Sequence, residues 1–361
     1  MRIGVPQEIK TQEGRIALVP AAVGEIVARG HAVSVQAGAG VISGYSDEEY
    51  RRAGADLVPD AKTLYERAQL IVKVKEPIEP EFALLKHEHV LFSYLHLAAN
   101  LPLAKVLQDK RLTAVAFETV SVGGKLPLLA PMSDIAGRLA VHIGLNLLHT
   151  RHGGRGLLLG GLPAAERGRV VVLGAGEAGG NAARVAAALG AEVVVFARTR
   201  ESLERMHALG PNVTALTSYP HAIAEAVAEA DLLIGAVLIP GARAPMLVTR
   251  DMVKRMRPGA VIVDIAIDQG GCIETIRPTT YADPTYIEEG VVHFGVTNMP
   301  GAVPRTSAQA LSAAITPYVL RLAQYGLDDG LLVGGVNVRD GAIVHPAVAE
   351  AVDGQHLAQR R

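Results

Sequence analysis

At 361 residues the chain has room for two domains of ordinary size, and 49% hydrophobic with 20% charged residues is the balance of a compact α/β protein. No uncharged apolar run nears the roughly 18 residues needed to cross a bilayer, so no membrane span is expected, and a net charge of −1 gives no electrostatic footprint for nucleic acid. One cysteine, Cys272, excludes an internal disulfide framework and a cysteine-based metal cluster and reads as a packed small residue, while the charged N-terminus without an apolar h-region reads as no signal peptide, so the cytoplasm is the expected location.

Ile3 to Val5 reads as a short strand, followed by a polar loop with Glu8, Lys10, Glu13 and Arg15 and a helix from Pro20 to about Arg29. Beside Ile16, Leu18 and Val19, Arg15 is as compatible with a solvated arginine as with a ligand. Val33 and Val35 alternate as a second strand, and a helix begins near Ser46 with Asp47, Glu48 and Glu49 in its first turn, where carboxylates suit the helix dipole. Leu70 to Val74 reads as a buried strand delivering Lys75 to the crevice end of an open sheet. Val90 to Leu95 is another, with His96 directly at its end, where an imidazole could move protons. His87 and His89 lie in a charged stretch and read as solvated. Leu112 to Phe117 adds a further strand, so this region suggests a parallel sheet of its own.

Pro131 introduces a long helix, about 133–150, whose Ile135, Leu139, Ile143 and Leu147 share one face. Next comes the most informative stretch, RVVVLGAGEAGGNAARVAAALGAEVVVFART, from Arg169 to Thr199. An apolar strand stops at Gly174, Gly176 and Gly179 in G-x-G-x-x-G spacing, with Glu177 and Ala178 between the last two. The first glycine permits the tight turn, the second lets a pyrophosphate approach the backbone, and the third lets the helix pack on the strand. Ala182, Val185 and Leu189 recur at helical spacing, and Val193 to Phe196 supplies the second strand. This βαβ frame is expected to be a dinucleotide site, the alternative being a glycine-rich turn with no ligand. At the tip of its second strand, however, the carboxylate that bonds the adenine-ribose 2′-hydroxyl is missing: Ala197, Arg198 and Thr199 stand there.

Helices follow near 201–209, 220–229 and 249–256, with strands at Asp231 to Ala236 and Ala260 to Asp264. Asp268, in AIDQGG after that last strand, is equally a site edge or an Asp turn. Val291 to Val296 is a further strand, ending in Thr297 and Asn298. Ser307 or Thr306 is expected to cap a long helix to about Gln324, and VNVRDGAIV reads as a hairpin turning at Asp340 and Gly341.

With these residues marked, the chain resembles the alanine dehydrogenase family over nearly its whole length, through RIGVPQEIK, ISGYSDEEY, LIVKVKEPIEPEF, LFSYLHLAAN, PMSDIAGRLA, GGRGLLLGG, GAGEAG, VDIAIDQGG and VTNMPGAVPRTS. The resemblance implies two Rossmann-like doubly wound α/β domains. A dinucleotide domain, 131–304, is inserted into a discontinuous substrate domain made of 1–130 and 305–361. It implies a homo-oligomer, a hexamer, and small-molecule partners: L-alanine, pyruvate and ammonium.

Carried over by position, it puts Arg15 and Lys75 on the substrate's carboxylate and carbonyl oxygens, His96 as proton shuttle and Asp268 as second acid/base group. Tyr94, Met132 and Asn298 match pocket positions. Ser133, Val237, Leu238 and Ile265 match the nucleotide side, where Asp268 and Asn298 are expected as well. A guanidinium suits a planar carboxylate, and a lysine places compact charge where a carbonyl develops negative charge. The alternatives are a dehydrogenase of a larger L-amino acid and the soluble nucleotide-binding component of a proton-translocating transhydrogenase. The cofactor expectation departs from the family. Without the aspartate, Ala197 leaves room, Arg198 offers a guanidinium and Thr199 a hydroxyl, while Arg200 either adds charge or faces solvent. NADP is therefore expected to be preferred, with NAD accepted.

Overall fold

The computed structural model describes residues 1–237 and 244–358. The chain divides into two compact units, Met1–Met132 with Gly301–Arg361, and Ser133–Pro300. Strands β1 (Arg2–Val5), β2 (Ala32–Gln36), β3 (Asp56–Val58), β4 (Leu70–Val72), β5 (Val90–Ser93) and β6 (Thr113–Ala116) belong to the first. The second holds β7 (Arg169–Leu173), β8 (Glu192–Ala197), β9 (Val213–Thr217), β10 (Leu232–Gly235), β11 (Val261–Asp264), β12 (Thr285–Glu288) and β13 (Val291–Phe294). The chain then returns to the first unit with β14 (Val336–Arg339) and β15 (Ala342–Ile343).

The first unit's eight-stranded sheet has the order β15-β14-β6-β5-β4-β1-β2-β3. Strands β1 to β6 are parallel, and the antiparallel β14–β15 hairpin closes one edge against β6. Its two-residue turn is Asp340 and Gly341, both at positive φ (50° and 82°), the backbone a tight hairpin requires. The chain runs outward from β1 to β3 and restarts with β4 on the other side of β1. Strand order therefore reverses between β1 and β4, and the crevice at their carboxyl ends is where such a sheet binds ligands.

The second unit repeats this logic in a seven-stranded sheet, β12-β13-β11-β10-β7-β8-β9, parallel except for β12, with its reversal between β7 and β10. Alternate residues feed opposite cores: Val170, Val172 and Ile234 pack on one face, Val171, Leu173 and Leu233 on the other. Burial on both faces is why these strands read as unbroken apolar runs.

The helix Ala130–Leu147 buries Ile135 and Leu147 on its apolar stripe. The helix Pro304–Tyr325 starts earlier than its hydroxyl residues suggest. Pro304 occupies the first turn, where its missing N–H costs nothing, so Thr306 and Ser307 lie inside the helix and Ser307 is buried. Strand β9 had no apolar signature because three of its five residues are exposed or nearly so, which is what a sheet-edge strand permits. His89, in a stretch that reads as solvated, is buried, with Nε2 2.8 Å from the Tyr65 carbonyl and Nδ1 accepting from the Lys86 amide.

Candidate active site

In the first unit, Arg15 is 2% exposed, so the solvated reading fails. Its guanidinium engages Glu13 through Nε (2.7 Å) and Nη2, and the same carboxylate accepts from the Arg15 amide at 3.0 Å. Burial alone would lower the arginine's pKa, but the hydrogen bonds and charge of Glu13 outweigh it and raise it, locking the cation. Nη1 lies 3.1 Å from Met132 Sδ. Tyr94 is close enough to share this field; its hydroxyl donates to the Leu128 carbonyl at 2.6 Å, and burial raises its pKa well above the ordinary range.

The Tyr94 ring stacks on His96, with centroids 6.0 Å apart and planes 6° from parallel. His96 has left-handed backbone (φ 49°, ψ 39°), a conformation that side chains adopt only when their surroundings hold them there. Glu118 supplies that hold. Its carboxylate accepts from the His96 amide at 2.6 Å and from the Leu95 amide at 3.2 Å, and lies 4.0 Å from His96 Nδ1. The imidazole itself is 45% exposed, so it is presented outward from a fixed backbone.

Lys75 leaves the carboxyl end of β4 beside a buried ionic network. Glu8 accepts from the Val74 amide (2.5 Å) and the Lys75 amide (3.3 Å), which fixes where Lys75 departs. Lys73, 1% exposed, meets Glu8 at 3.3 Å and Glu81 at 2.9 Å, and Tyr65 donates to Glu81 at 3.0 Å. Burial pushes Glu8 up against the pull of Lys73; for Lys73, burial works downward and is overcome by the two carboxylates. The first unit thus sets Arg15 against Met132 and in the field of Tyr94, stacks Tyr94 on His96, and anchors Lys75 through Glu8.

In the second unit, the turn after β7 has the geometry its glycines call for. Gly174 sits at φ 102°, and a Cβ there would come within 2.6 Å of the Ala236 carbonyl. A Cβ on Gly179 would stand 1.9 Å from the Gly174 carbonyl, so the helix Glu177–Ala188 packs on the turn only without one. At Gly176 a Cβ would meet nothing within 4 Å: the space above that backbone is open, which fits a pyrophosphate at a helix N-terminus. Ser133 precedes Asp134, whose carboxylate accepts from Asn181 at 2.6 Å, so Ser133 lies beside the helix that bears Glu177 and Ala178. Val237 borders Gly174. Leu238 lies outside the described residues.

Asp264, fully buried at the end of β11, accepts from the Ala266 amide (2.9 Å) and the Cys272 amide (2.8 Å) and pins the short turn Ile265–Gln269 that carries Ile265 and Asp268. Burial pushes its carboxyl up to about 6 despite those hydrogen bonds. Asp268 is exposed and accepts from the Asn298 amide at 3.2 Å, so these two positions, 30 residues apart, form one corner at neighbouring strand ends. Asn298 is left-handed, at φ 60°.

At the tip of β8, Ala197 is 5% exposed, and Arg198 and Thr199 are exposed. The Thr199 hydroxyl oxygen accepts from the Ser202 amide at 3.3 Å, so its first role is to cap the helix Arg200–His207. Arg200 pairs with Glu204 at 2.7 Å with its side chain 91% exposed, and therefore faces solvent. No cluster of metal-ligating side chains occurs among the described residues.

Sequence reasoning passed over Glu118, Glu81 and Lys73 and gave Glu8 and Glu13 no role. A cation in the apolar run LIVKV was the one available signal that buried carboxylates had to lie nearby.

Two doubly wound units, one with an open glycine turn and one with a buried arginine and a strand-end histidine, define a dinucleotide-dependent oxidoreductase architecture. The alanine dehydrogenase/PNT N-terminal domain matches residues 4–136 and the corresponding C-terminal domain matches residues 140–346. The chain belongs to this family. It is 49% identical to alanine dehydrogenase of Bacillus subtilis (97% of this chain, 94% of that protein) and 51% identical to that of Halomonas elongata (97% and 96%). A solved L-alanine dehydrogenase superposes with TM-score 0.94 at 49% identity, covering 98% of this chain and 99% of that one. Transhydrogenase from Sinorhizobium meliloti is more distant, at TM-score 0.82 and 28% identity over 96% of this chain and 100% of that one.

Proposed function

We propose that this chain catalyses the reversible oxidative deamination of L-alanine to pyruvate and ammonia, with NADP preferred over NAD. The observation that carries the reading is buried Arg15 against Met132, with Tyr94 in its field and stacked on His96, in a chain about half identical to alanine dehydrogenases. Arg15 and Lys75 hold the substrate's carboxylate and carbonyl oxygens, Tyr94 and Met132 are the other substrate residues of the first unit, and Asn298 is the substrate residue of the second. A nicotinamide nucleotide held by the second unit would supply the acceptor for the hydride that leaves Cα.

The chain's own groups move the protons. His96 takes a proton from the ammonium group so that the nitrogen lone pair can form the iminium as hydride leaves. Water then adds to the iminium carbon and gives up a proton, with Asp268 as the second acid/base group. The carbinolamine collapses by expelling ammonia, whose nitrogen regains a proton from His96. Glu13 keeps Arg15 charged and oriented, and Glu118 fixes the backbone that presents His96.

For the nucleotide, Ser133, Gly174, Gly176, Glu177, Ala178, Gly179, Val237, Leu238, Ile265, Asp268 and Asn298 form the general site. Ala197 and Arg198 set the preference. With no carboxylate to repel it, a 2′-phosphate meets the Arg198 guanidinium, which makes no ion pair among the described residues. The reading includes a homohexamer, which sedimentation would check.

Oxidation of reduced nucleotide in the presence of pyruvate and ammonium tests the reaction. It is expected to require both, and to slow when a bulkier 2-oxo acid replaces pyruvate. Hydride exchange between two nucleotides without pyruvate would overturn the reading in favour of transhydrogenation.

A further inference from the structure

Resting on the NADP reading, we infer that Arg205 is a second arginine for the 2′-phosphate, acting beside Arg198. Strands β7 and β8 are parallel neighbours in the register Leu173↔Phe196, and the Gly174 amide bonds the Phe196 carbonyl at 2.9 Å. The glycine turn and the segment Ala197–Thr199 therefore leave the sheet side by side at the same carboxyl edge. That edge is where a dinucleotide's adenine ribose sits.

The helix Arg200–His207 begins there, buries Met206 and tucks Leu203 against the same core. Arg205, one residue before Met206, sends its Nη2 back to donate to the carbonyl of Ala175, inside the glycine turn. The ordinary partner for an arginine at this position is Glu201, four residues earlier on the same helix face. Arg205 forms no ion pair with it among the described residues, and Glu204 is occupied by Arg200.

The choice of partner matters electrostatically. A carboxylate would neutralise the guanidinium, whereas a peptide carbonyl orients it and leaves its charge in place. The hydrogen bond takes one of five N–H donors. The result is an oriented cation at the glycine turn, on the carboxyl edge that β7 shares with β8, so that a 2′-phosphate on a ribose bound at this edge would meet Arg205 as well as Arg198.

Isothermal titration of the whole protein with adenosine 2′,5′-bisphosphate and with adenosine 5′-monophosphate tests this, comparing wild type with Arg205→Gln. Glutamine keeps an amide donor for the Ala175 carbonyl but carries no charge. The bisphosphate is expected to weaken about tenfold or more in the variant while the monophosphate stays within about twofold. Equal losses for both probes would mean Arg205 only braces the glycine turn and would overturn the inference, as would no loss for either. A wild type that binds the two probes equally would overturn the NADP reading and this inference with it. A wild type that prefers the bisphosphate, with that preference kept in Arg205→Gln, would overturn this inference alone.

Discussion

Replacing Glu118 by glutamine probes how the catalytic histidine is held. The carboxylate accepts from the amides of Leu95 (3.2 Å) and His96 (2.6 Å) and stands 4.0 Å from His96 Nδ1. Glutamine retains one acceptor oxygen and the chain length but turns charge-assisted hydrogen bonds, worth about 1.5–3 kcal/mol, into neutral ones of about 0.5–1.5 kcal/mol. The left-handed backbone at His96, about 1–2 kcal/mol uphill for a residue with a Cβ, then loses roughly the interaction that offsets it. The direct attraction between Glu118 and an imidazolium adds little, since the ring is 45% exposed and surface pairs contribute about 0–1 kcal/mol. A loss of about 1.4 kcal/mol is tenfold, so kcat for L-alanine is expected to fall about tenfold with KM for the nucleotide unchanged. Steady-state kinetics with each substrate varied would read this. Turnover within about twofold of wild type would refute the claim that Glu118 positions His96.

Further outcomes follow from the same geometry. His96→Ala should lose roughly 100- to 10,000-fold in turnover while nucleotide binding, measured by titration, stays nearly intact; more than about a tenth of wild-type turnover would remove His96 from its role. Arg15→Lys should raise KM for pyruvate and lower kcat, together roughly tenfold to a hundredfold, because an ammonium cannot reproduce the forked contact that Arg15 makes with buried Glu13; unchanged kinetics would contradict it. Asp264 sits at about 6 in the folded protein against 3.8 normally, so its contribution to stability falls as pH rises from about 4 to 6, by on the order of 3 kcal/mol. Asp264→Asn cannot ionise, so in denaturant unfolding it should gain on wild type between pH 4.5 and 7; an equal difference at both pH values would refute this.

The sequence made the backbone legible wherever a local rule applied. Gly174, Gly176 and Gly179 marked a turn because each position forbids or leaves open the space of a Cβ, and Asp340–Gly341 marked a hairpin because both need positive φ. Arg15, Lys75, His96 and Asp268 became visible as a set only through family resemblance. What stayed hidden depended on neighbours distant in sequence. Glu118 is 22 residues from the His96 amide it holds, and Glu8 is 67 from that of Lys75, so no window of sequence contains both partners. His89 read as solvated because its neighbours are charged, yet a carbonyl 24 residues away satisfies its ring. Thr199 read as a phosphate donor, and its nearest demand was the N-terminus of its own helix.

The proposed NADP preference rests on Ala197 and Arg198 standing where a ribose-binding carboxylate is expected. The ratio of kcat/KM for NADP and NAD, with L-alanine saturating, measures it in wild type and in Ala197→Asp with Arg198→Val. The wild type is expected to favour NADP by roughly tenfold to a hundredfold, the worth of one charge-assisted contact, and the preference of the double variant to move to NAD. A wild type favouring NAD about tenfold, or a double variant whose ratio does not move, would contradict it.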